Sequence, residues 1–385
     1  MRHLYLAATG QNRGKTTAAL GLLDGFVSEG LRTGFMKPVG QRTVIDDGEP
    51  ADEDAVLMKA VFGLPDPYPV MSPVHIPRGF TKAYIGGEVV EDLGARVRAA
   101  HATFADHDIL LIEGTGHAGV GAVIGLSNAV VAAMLGTPAV IISEGGVGRP
   151  IDEIVLNASL FTRHGVTVAG AIVNKVDVEA QPGIEDILER GLAPYDIPLL
   201  GILPRRAILS NPTLEMISEG LNGERIHDGP DLERVIDGVA IGAMQPGHML
   251  ERVGPGTLVI VPGDREDIIL TLTTAHLVGT PHLAPTGQNE PTLELDLEHA
   301  GAAIGLVLTG GYRPRPAVLS AIRRADLFAI LVGSDTYTVA SDVHDLLVKT
   351  HAADREKIEL IKELVASNLD VDRILAVATE AVPAR

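Results

Sequence analysis

The apolar stretch at residues 3–7 runs directly into Ala8-Thr-Gly-Gln-Asn-Arg-Gly-Lys-Thr-Thr17, and an amphipathic pattern follows to Gly30. A strand, a glycine-bearing turn and a helix in that order suit an open α/β sheet with ligands at its strand ends. The turn also sets a ligand class. A helix N-terminus presents unpaired backbone N–H groups, and Gly10 and Gly14 let the main chain curl closely around phosphate oxygens. In that geometry Thr9, Gly10, Gln11, Asn12, Arg13, Gly14, Lys15, Thr16 and Thr17 form the cofactor-binding loop. Lys15 reaches the outer phosphates, and the Thr16 hydroxyl sits on Mg²⁺. The strict pattern places a glycine at position 9, where this chain has Thr9, with Gly10 shifted by one.

Short apolar runs alternate with helical patterns through the first 200 residues, which predicts a doubly wound, mostly parallel sheet. The phosphate loop after its first strand makes the expected fold class that of a P-loop NTPase. Strands are expected near 3–8, 32–36, 108–113, 138–143, 167–173 and 198–202. Helices are expected near 14–29, 52–62, 90–104, 125–136, 151–163 and 183–191. The runs at 108–113 and 139–143 are almost continuously apolar, as strands buried on both faces should be. A chain of 385 residues is too long for one ordinary domain. From about 215 a second, smaller α/β alternation begins, with strands near 257–261, 303–308 and 327–332 and helices near 265–277, 316–324 and 336–349. The Pro-, Gly- and Thr-rich stretch 281–291 reads as a loop, and the tail from Ala353 as one packed helix. The expected organisation is a P-loop domain over 1–210, a smaller α/β domain over 215–350 and a helical tail over 351–385.

Composition narrows the partners. A formal net charge of −19 argues against nucleic-acid backbones and anionic membranes, which need clustered Lys and Arg. With no cysteine the chain has no disulfide, thiolate nucleophile or Cys-based metal site. No apolar run approaches membrane-spanning length and no signal-like segment precedes the first strand, so a cytoplasmic location is expected.

The remaining candidates fall at strand ends, where ligands of such sheets bind. Lys37 follows the second strand and would stabilise charge on a transferring phosphoryl group. Most of the acidic run 46–54 reads as a solvated loop, but Asp54 precedes the apolar Ala-Val-Leu-Met and is placed to turn inward. Glu113 ends the run Leu110-Leu-Ile-Glu and opens a loop of small residues. Mg²⁺ takes one or two carboxylates together with phosphate oxygens and water, so Thr16, Asp54 and Glu113 form the candidate metal set. Lys15, Lys37 and Glu113 form the candidate catalytic set. His117 in the glycine-rich loop is either a substrate contact or a surface residue. Asn174-Lys-Val-Asp177 follows the fifth strand and suits a base edge, Asn174 bonding the ring and Asp177 accepting from guanine N–H groups. This tetrad leaves ATP and GTP both open.

Together these residues resemble the dethiobiotin synthetase-like P-loop family (AAA_26 type). The matching pieces are Thr9…Gly14-Lys15-Thr16, Lys37-Pro-Val, Asp54-Ala-Val-Leu, Ser72-Pro-Val-His75 and Glu113-Gly-Thr-Gly116, in the expected order over roughly residues 1–205. The resemblance implies ATP on the loop, Mg²⁺ on Thr16, Asp54 and Glu113, and Lys15 and Lys37 acting on the phosphates and on a carbamate intermediate. It also implies Asn174 against adenine, and a homodimer. The second half resembles a DRTGG domain through Asp264-Arg265 and Thr309-Gly310-Gly311, which are either second-domain ligand residues or two tight turns. This domain order is similar to the N-terminal portion of long-form phosphate acetyltransferase. In that enzyme the catalytic domain follows the DRTGG domain, and this sequence ends before it, so transferase activity is not expected. Gln41 stands where the synthetases have a serine near the substrate, and the loop after Glu113 is richer in glycine than theirs, so biotin-pathway activity is not expected either. Without cysteine, the glutaminase chemistry of related amidoligases is excluded from this chain. The expectation is a Mg²⁺–ATP-binding protein with ATPase or ATP-dependent ligase chemistry on a small acid or amine. The alternative is a non-catalytic nucleotide-sensing regulator linked to acyl-phosphate metabolism.

Overall fold

The computed structural model describes residues 1–278, 280–284, 292–296, 303–344, 346 and 349–380. The chain divides into two units, Met1–Arg205 with Thr350–Arg385, and Arg206–Lys349.

The first unit is built on a parallel sheet. Its strands are β1 (Arg2–Ala8), β2 (Thr33–Met36), β3 (Ile109–Glu113), β4 (Ala139–Glu144), β5 (Val168–Val176) and β6 (Leu199–Pro204), in the spatial order β6-β5-β4-β1-β3-β2. β1 is central because it is apolar on both faces: Leu4, Tyr5, Leu6, Ala7 and Ala8 are all buried. It pairs with β3 through Leu6↔Glu113 and with β4 through Ala8↔Ile142. The chain reverses direction in the sheet on either side of β1, and crevices at such switch points are where ligands bind. Three helices matter for the site: α1 (Lys15–Ser28), α2 (Glu53–Phe62) and α3 (Gly148–Arg163).

The acidic run before α2 is not a solvated loop throughout. Thr43–Asp46 and Glu49–Asp52 pair as an antiparallel hairpin around a turn with Asp47 and Gly48 at positive φ. Asp52 is buried and caps α2, its carboxylate accepting the Asp54 N–H at 3.1 Å. The sequence pattern failed here because the hairpin exposes Val44 and Ile45, and its second strand sets Pro50 and Ala51 between Glu49 and Asp52.

The second unit holds a five-stranded sheet of β7 (Glu224–His227), β8 (Gly238–Ile241), β9 (Thr257–Pro262), β10 (Gly305–Thr309) and β11 (Phe328–Leu331). Their spatial order is β7-β11-β10-β9-β8, with only β7 antiparallel to its neighbour. Helices α4 (Glu266–Val278) and α5 (Pro316–Arg324) flank it, with α6 (Thr336–His344) also in the unit. Val259, Val261, Leu306 and Leu308 face one apolar layer, and Leu258, Ile260, Val307 and Ile330 face the other. That alternation is the period-2 signature of a strand. The stretch expected as a loop over 281–291 instead begins in a strand: Thr280–Ala284 pairs antiparallel with Thr292–Asp296. The rest of that expected loop lies outside the described residues.

The C-terminal stretch returns to the first unit as two helices rather than one, α7 (Arg355–Asn368) and α8 (Val371–Val377). Leu369 ends α7 in an extended conformation, and the Asp370 carboxylate starts α8 by accepting the Arg373 N–H at 2.9 Å. Ile358, Ile361, Leu364 and Val365 form the buried stripe of α7. It lies against α1 so closely that a Cβ on Gly21 would be 2.3 Å from the Val365 side chain. Thr379 and Glu380 pair antiparallel with His3 and Arg2 at the start of β1. Among the described residues, no helix is long and apolar enough to cross a membrane.

Candidate functional site

β1 delivers the loop 9–14 to the N-terminus of α1, anchored by the Thr9 N–H on the Ile142 carbonyl at 2.9 Å. Gly14 precedes the helix at φ +91°, and a Cβ there would lie 1.8 Å from Asn174 Nδ2. Only glycine meets both conditions. Gly14 supplies no capping side chain, which leaves the first N–H groups of α1 without a side-chain cap, as an anion site requires. Lys15 folds back over the loop, donating to the Gly10 carbonyl at 3.3 Å. Burial, followed by the nearby charge of Lys37, lowers its ammonium pKa to about 8.

The neighbouring strand ends and α2 bring the other candidates to this point. The Thr16 hydroxyl is 3.1 Å from Asp54 Oδ1 and 3.2 Å from Glu113 Oε1. Lys37 Nζ lies 2.5 Å from Asp54 Oδ2 and 2.8 Å from Glu113 Oε1, with the Gly114 carbonyl at 3.4 Å. Burial would depress the Lys37 ammonium, but Asp54 and then Glu113 outweigh it and raise it above its ordinary value. Burial and then the charge of Asp54 push the Glu113 carboxyl up to about 7, against the pull of Lys37. Burial also acts to raise Asp54, but Lys37 wins and lowers it.

Glu113 Oε2 is buried and has no hydrogen-bond partner among the described residues. A buried carboxylate oxygen without a donor is costly unless a cation or water occupies the space before it. Two carboxylates and a hydroxyl are hard oxygen donors of the kind Mg²⁺ takes when phosphate and water complete its shell. Among the described residues, no group of three His, Asp or Glu side chains is placed to hold a metal by itself. The donor set therefore fits Mg²⁺ arriving with a phosphate ligand.

Other candidates lie around this centre. Asn174 ends buried, its Nδ2 donating to the Arg13 carbonyl at 3.1 Å and its Oδ1 accepting the Lys175 N–H at 2.8 Å. Asp177 is exposed and caps the following turn, accepting the Ala180 N–H at 3.0 Å. His117 Nδ1 accepts the Gly119 N–H at 3.2 Å, which shapes the loop after Glu113. Gln11 and Asn12 are exposed on the loop, Asn12 at φ +57°. Thr17 lies in the first turn of α1.

Sequence reasoning missed a second charged group, which contacts the loop through Thr9 and Arg13. Glu144 ends β4 and contacts both the Arg13 guanidinium and Lys175 Nζ, the latter at 3.0 Å. Glu153 on α3 accepts from the Thr9 hydroxyl at 2.8 Å and from Arg149 at 2.8 Å. A carboxylate closing an apolar strand run was the signal that identified Glu113, and Glu144 carries the same signal.

In the second unit, Asp264-Arg265 and Thr309-Gly310-Gly311 fall at the carboxyl ends of β9 and β10. Arg265 donates to the Met244 carbonyl at 3.1 Å and pairs with Asp267. The buried Thr309 hydroxyl bonds Thr336 Oγ1 at 2.7 Å, and the Gly310 and Gly311 N–H groups bond the carbonyls of Ser334 and Val332. These residues tie adjacent loops together.

A central strand, a glycine-bearing loop, a helix N-terminus and a Thr–Asp–Glu–Lys cluster at the strand ends define a P-loop NTPase fold. The chain belongs to the AAA_26 family, described as an AAA domain, which matches residues 2–213. A DRTGG domain match follows over residues 216–346. Among curated proteins, phosphate acetyltransferase of Pseudomonas aeruginosa is 26% identical over 97% of this chain and 51% of its own length. That of Pseudomonas putida is 27% identical over 96% of this chain and 51% of its own. The chain thus spans about half the length of these relatives. Among solved structures, the septum site-determining protein MinD of Pyrococcus horikoshii, complexed with Mg-ADP, matches at 14% identity and a TM-score of 0.33. That match covers 54% of this chain and 83% of the other. The CBS and DRTGG domains of Clostridium perfringens pyrophosphatase, complexed with diadenosine tetraphosphate, match at 15% identity and a TM-score of 0.26. They cover 50% of this chain and 86% of theirs.

Proposed function

We propose that the first unit binds Mg²⁺–ATP and turns it over, by hydrolysis or by phosphoryl transfer to a small acid or amine. The observation that carries this reading is the partnerless Glu113 Oε2 beside Thr16 and Asp54, at the mouth of the phosphate loop. Mg²⁺ bound there would neutralise charge on the outer phosphate oxygens. The backbone N–H groups at the start of α1 hold the phosphates, and Lys15 reaches the terminal one. Lys37 adds a second cation where charge develops in transfer. The acceptor belongs beside Lys37, Glu113 and His117. Contact of Asn174 with the base and the preference for ATP over GTP both rest on the family resemblance.

A second reading is a nucleotide sensor that binds without turnover. It is favoured by the DRTGG domain match that follows the P-loop domain, and by the match to about half the length of the phosphate acetyltransferase relatives.

Mg²⁺-dependent phosphate release from ATP and GTP separates the two. Turnover is expected, falling on the order of a hundredfold in Lys15→Ala. Tight binding with no release, unchanged by Lys15→Ala, supports the sensor instead. Absence of binding to either nucleotide with Mg²⁺ refutes both.

A further inference from the structure

We infer that Glu144 is a positioning residue that locks the phosphate loop and the base-side loop into one preformed nucleotide cradle. Resting on the nucleotide reading above, this assigns a role to a carboxylate outside the Thr16–Asp54–Glu113 cluster. Glu144 ends β4, opposite Asn174 in the β4–β5 register. One of its oxygens meets the Arg13 guanidinium, in the phosphate loop, and the other meets Lys175 Nζ at 3.0 Å, in the loop after β5. Lys175 in turn donates to the Asn12 carbonyl at 3.0 Å, and Asn174 Nδ2 donates to the Arg13 carbonyl at 3.1 Å. The contacts close a ring: Glu144 to Arg13, along the backbone to Asn12, across to Lys175 and back to Glu144. Lys175 stands at φ +55° to make its part of it, an uncommon conformation for a residue other than glycine.

The ring uses side chains other than Lys15 and Thr16. A Cβ on Gly10 would sit 3.3 Å from Arg13 Nε, while Lys15 takes the Gly10 carbonyl. Arg13 is thereby engaged by carboxylates, Glu144 directly and Glu153 at 3.8 Å, and serves as a brace. A loop so braced keeps its N–H groups convergent before any ligand arrives, which lowers the ordering cost of binding.

Charge alone predicts the opposite effect. A carboxylate near a polyanion site repels the ligand, so removing it should tighten binding. The test is Glu144→Gln, with affinity for tripolyphosphate and for Mg²⁺–ATP measured by calorimetry. Amide hydrogen exchange of residues 10–16 is followed in the ligand-free protein. Positioning predicts weakening on the order of tenfold for both ligands, including tripolyphosphate, which has no base to contact. It also predicts exchange faster by roughly tenfold. Lys175→Met should speed the same amides, which guards against a peculiarity of one substitution. Unchanged or tighter tripolyphosphate binding, or unchanged exchange in both variants, overturns the inference. If the wild-type protein binds neither ligand, the nucleotide reading fails, and the exchange experiment still decides whether Glu144 orders the loop.

Discussion

Gly21→Ala tests whether the C-terminal helix α7 is seated on the phosphate-loop helix α1 as described. Gly21 lies mid-helix with an ordinary helical backbone, so alanine removes a weak helix former and should itself add about 1 kcal/mol. The structure opposes that gain. The new Cβ would stand 2.3 Å from both Cβ and Cγ2 of Val365 and 2.8 Å from Cγ1. Carbon atoms pack comfortably at about 3.5–4.0 Å, so something must move by more than about 1 Å. Rotating Val365 about χ1 cannot clear its own Cβ, so α7 must shift as a body, while Lys362–Asp24 and the Gly25–Val371 approach resist the shift. Overpacking of this kind costs about 1–3 kcal/mol, and a clash with a backbone-anchored atom belongs at the upper end. The net expectation is a loss of about 2 kcal/mol, or roughly 4–8 °C in Tm for a unit of this size. Calorimetry or far-UV circular dichroism on Gly21→Ala reads it. Gly148→Ala, where a Cβ meets nothing within 4 Å, serves as the control and should leave Tm unchanged or slightly raised. A Gly21→Ala protein as stable as wild type would refute the packing argument.

Two further perturbations address the buried charges. Lys37→Met strips the counter-charge from Asp54 and Glu113 and should destabilise the protein by about 3 kcal/mol at pH 8 with chelator present. Without Lys37 the folded state raises both carboxyl pKa values, so stability is lost as pH rises through them and recovers toward pH 5. Urea unfolding at the two pH values checks this, and an equal deficit at both would count against it. His3 titrates in the other sense, because burial and then His101 lower its imidazole from 6.5 to about 4. The unfolded chain takes up that proton first, so stability should fall as pH drops from about 6.5 to about 4, and His3→Leu should flatten that limb of a Tm–pH profile.

Much of the first unit was legible because its information is local. The phosphate loop is contiguous, Lys37 follows β2 and Glu113 closes β3, so the parallel pairing of β2 with β3 and of β3 with β1 carries them to one edge of the sheet. Asp54 was legible from the apolar residues after it, whereas the buried cap at Asp52 was hidden within a run of acids. The charged set around the loop was not read, since Arg13, Glu144 and Lys175 become a set only once the β4–β5 register is known. The tail showed a helical stripe, but its seat on α1 is two glycines, Gly21 and Gly25, that advertise nothing in the sequence. In the second unit the strand at 280–284 escaped because Pro and Thr mask the pattern there.

That seat has a consequence for how the chain is made. α1 emerges early in synthesis, yet the helix that covers it begins at Arg355, after the whole of the second unit. The edge of β1 at Arg2 and His3 likewise waits for Thr379 and Glu380. Contacts between segments so far apart in sequence close slowly and late. During translation the Gly21–Gly25 face of α1 stays bare until residues 355–377 have left the ribosome. Docking of residues 355–380 is therefore a late step in the folding of the phosphate-loop unit.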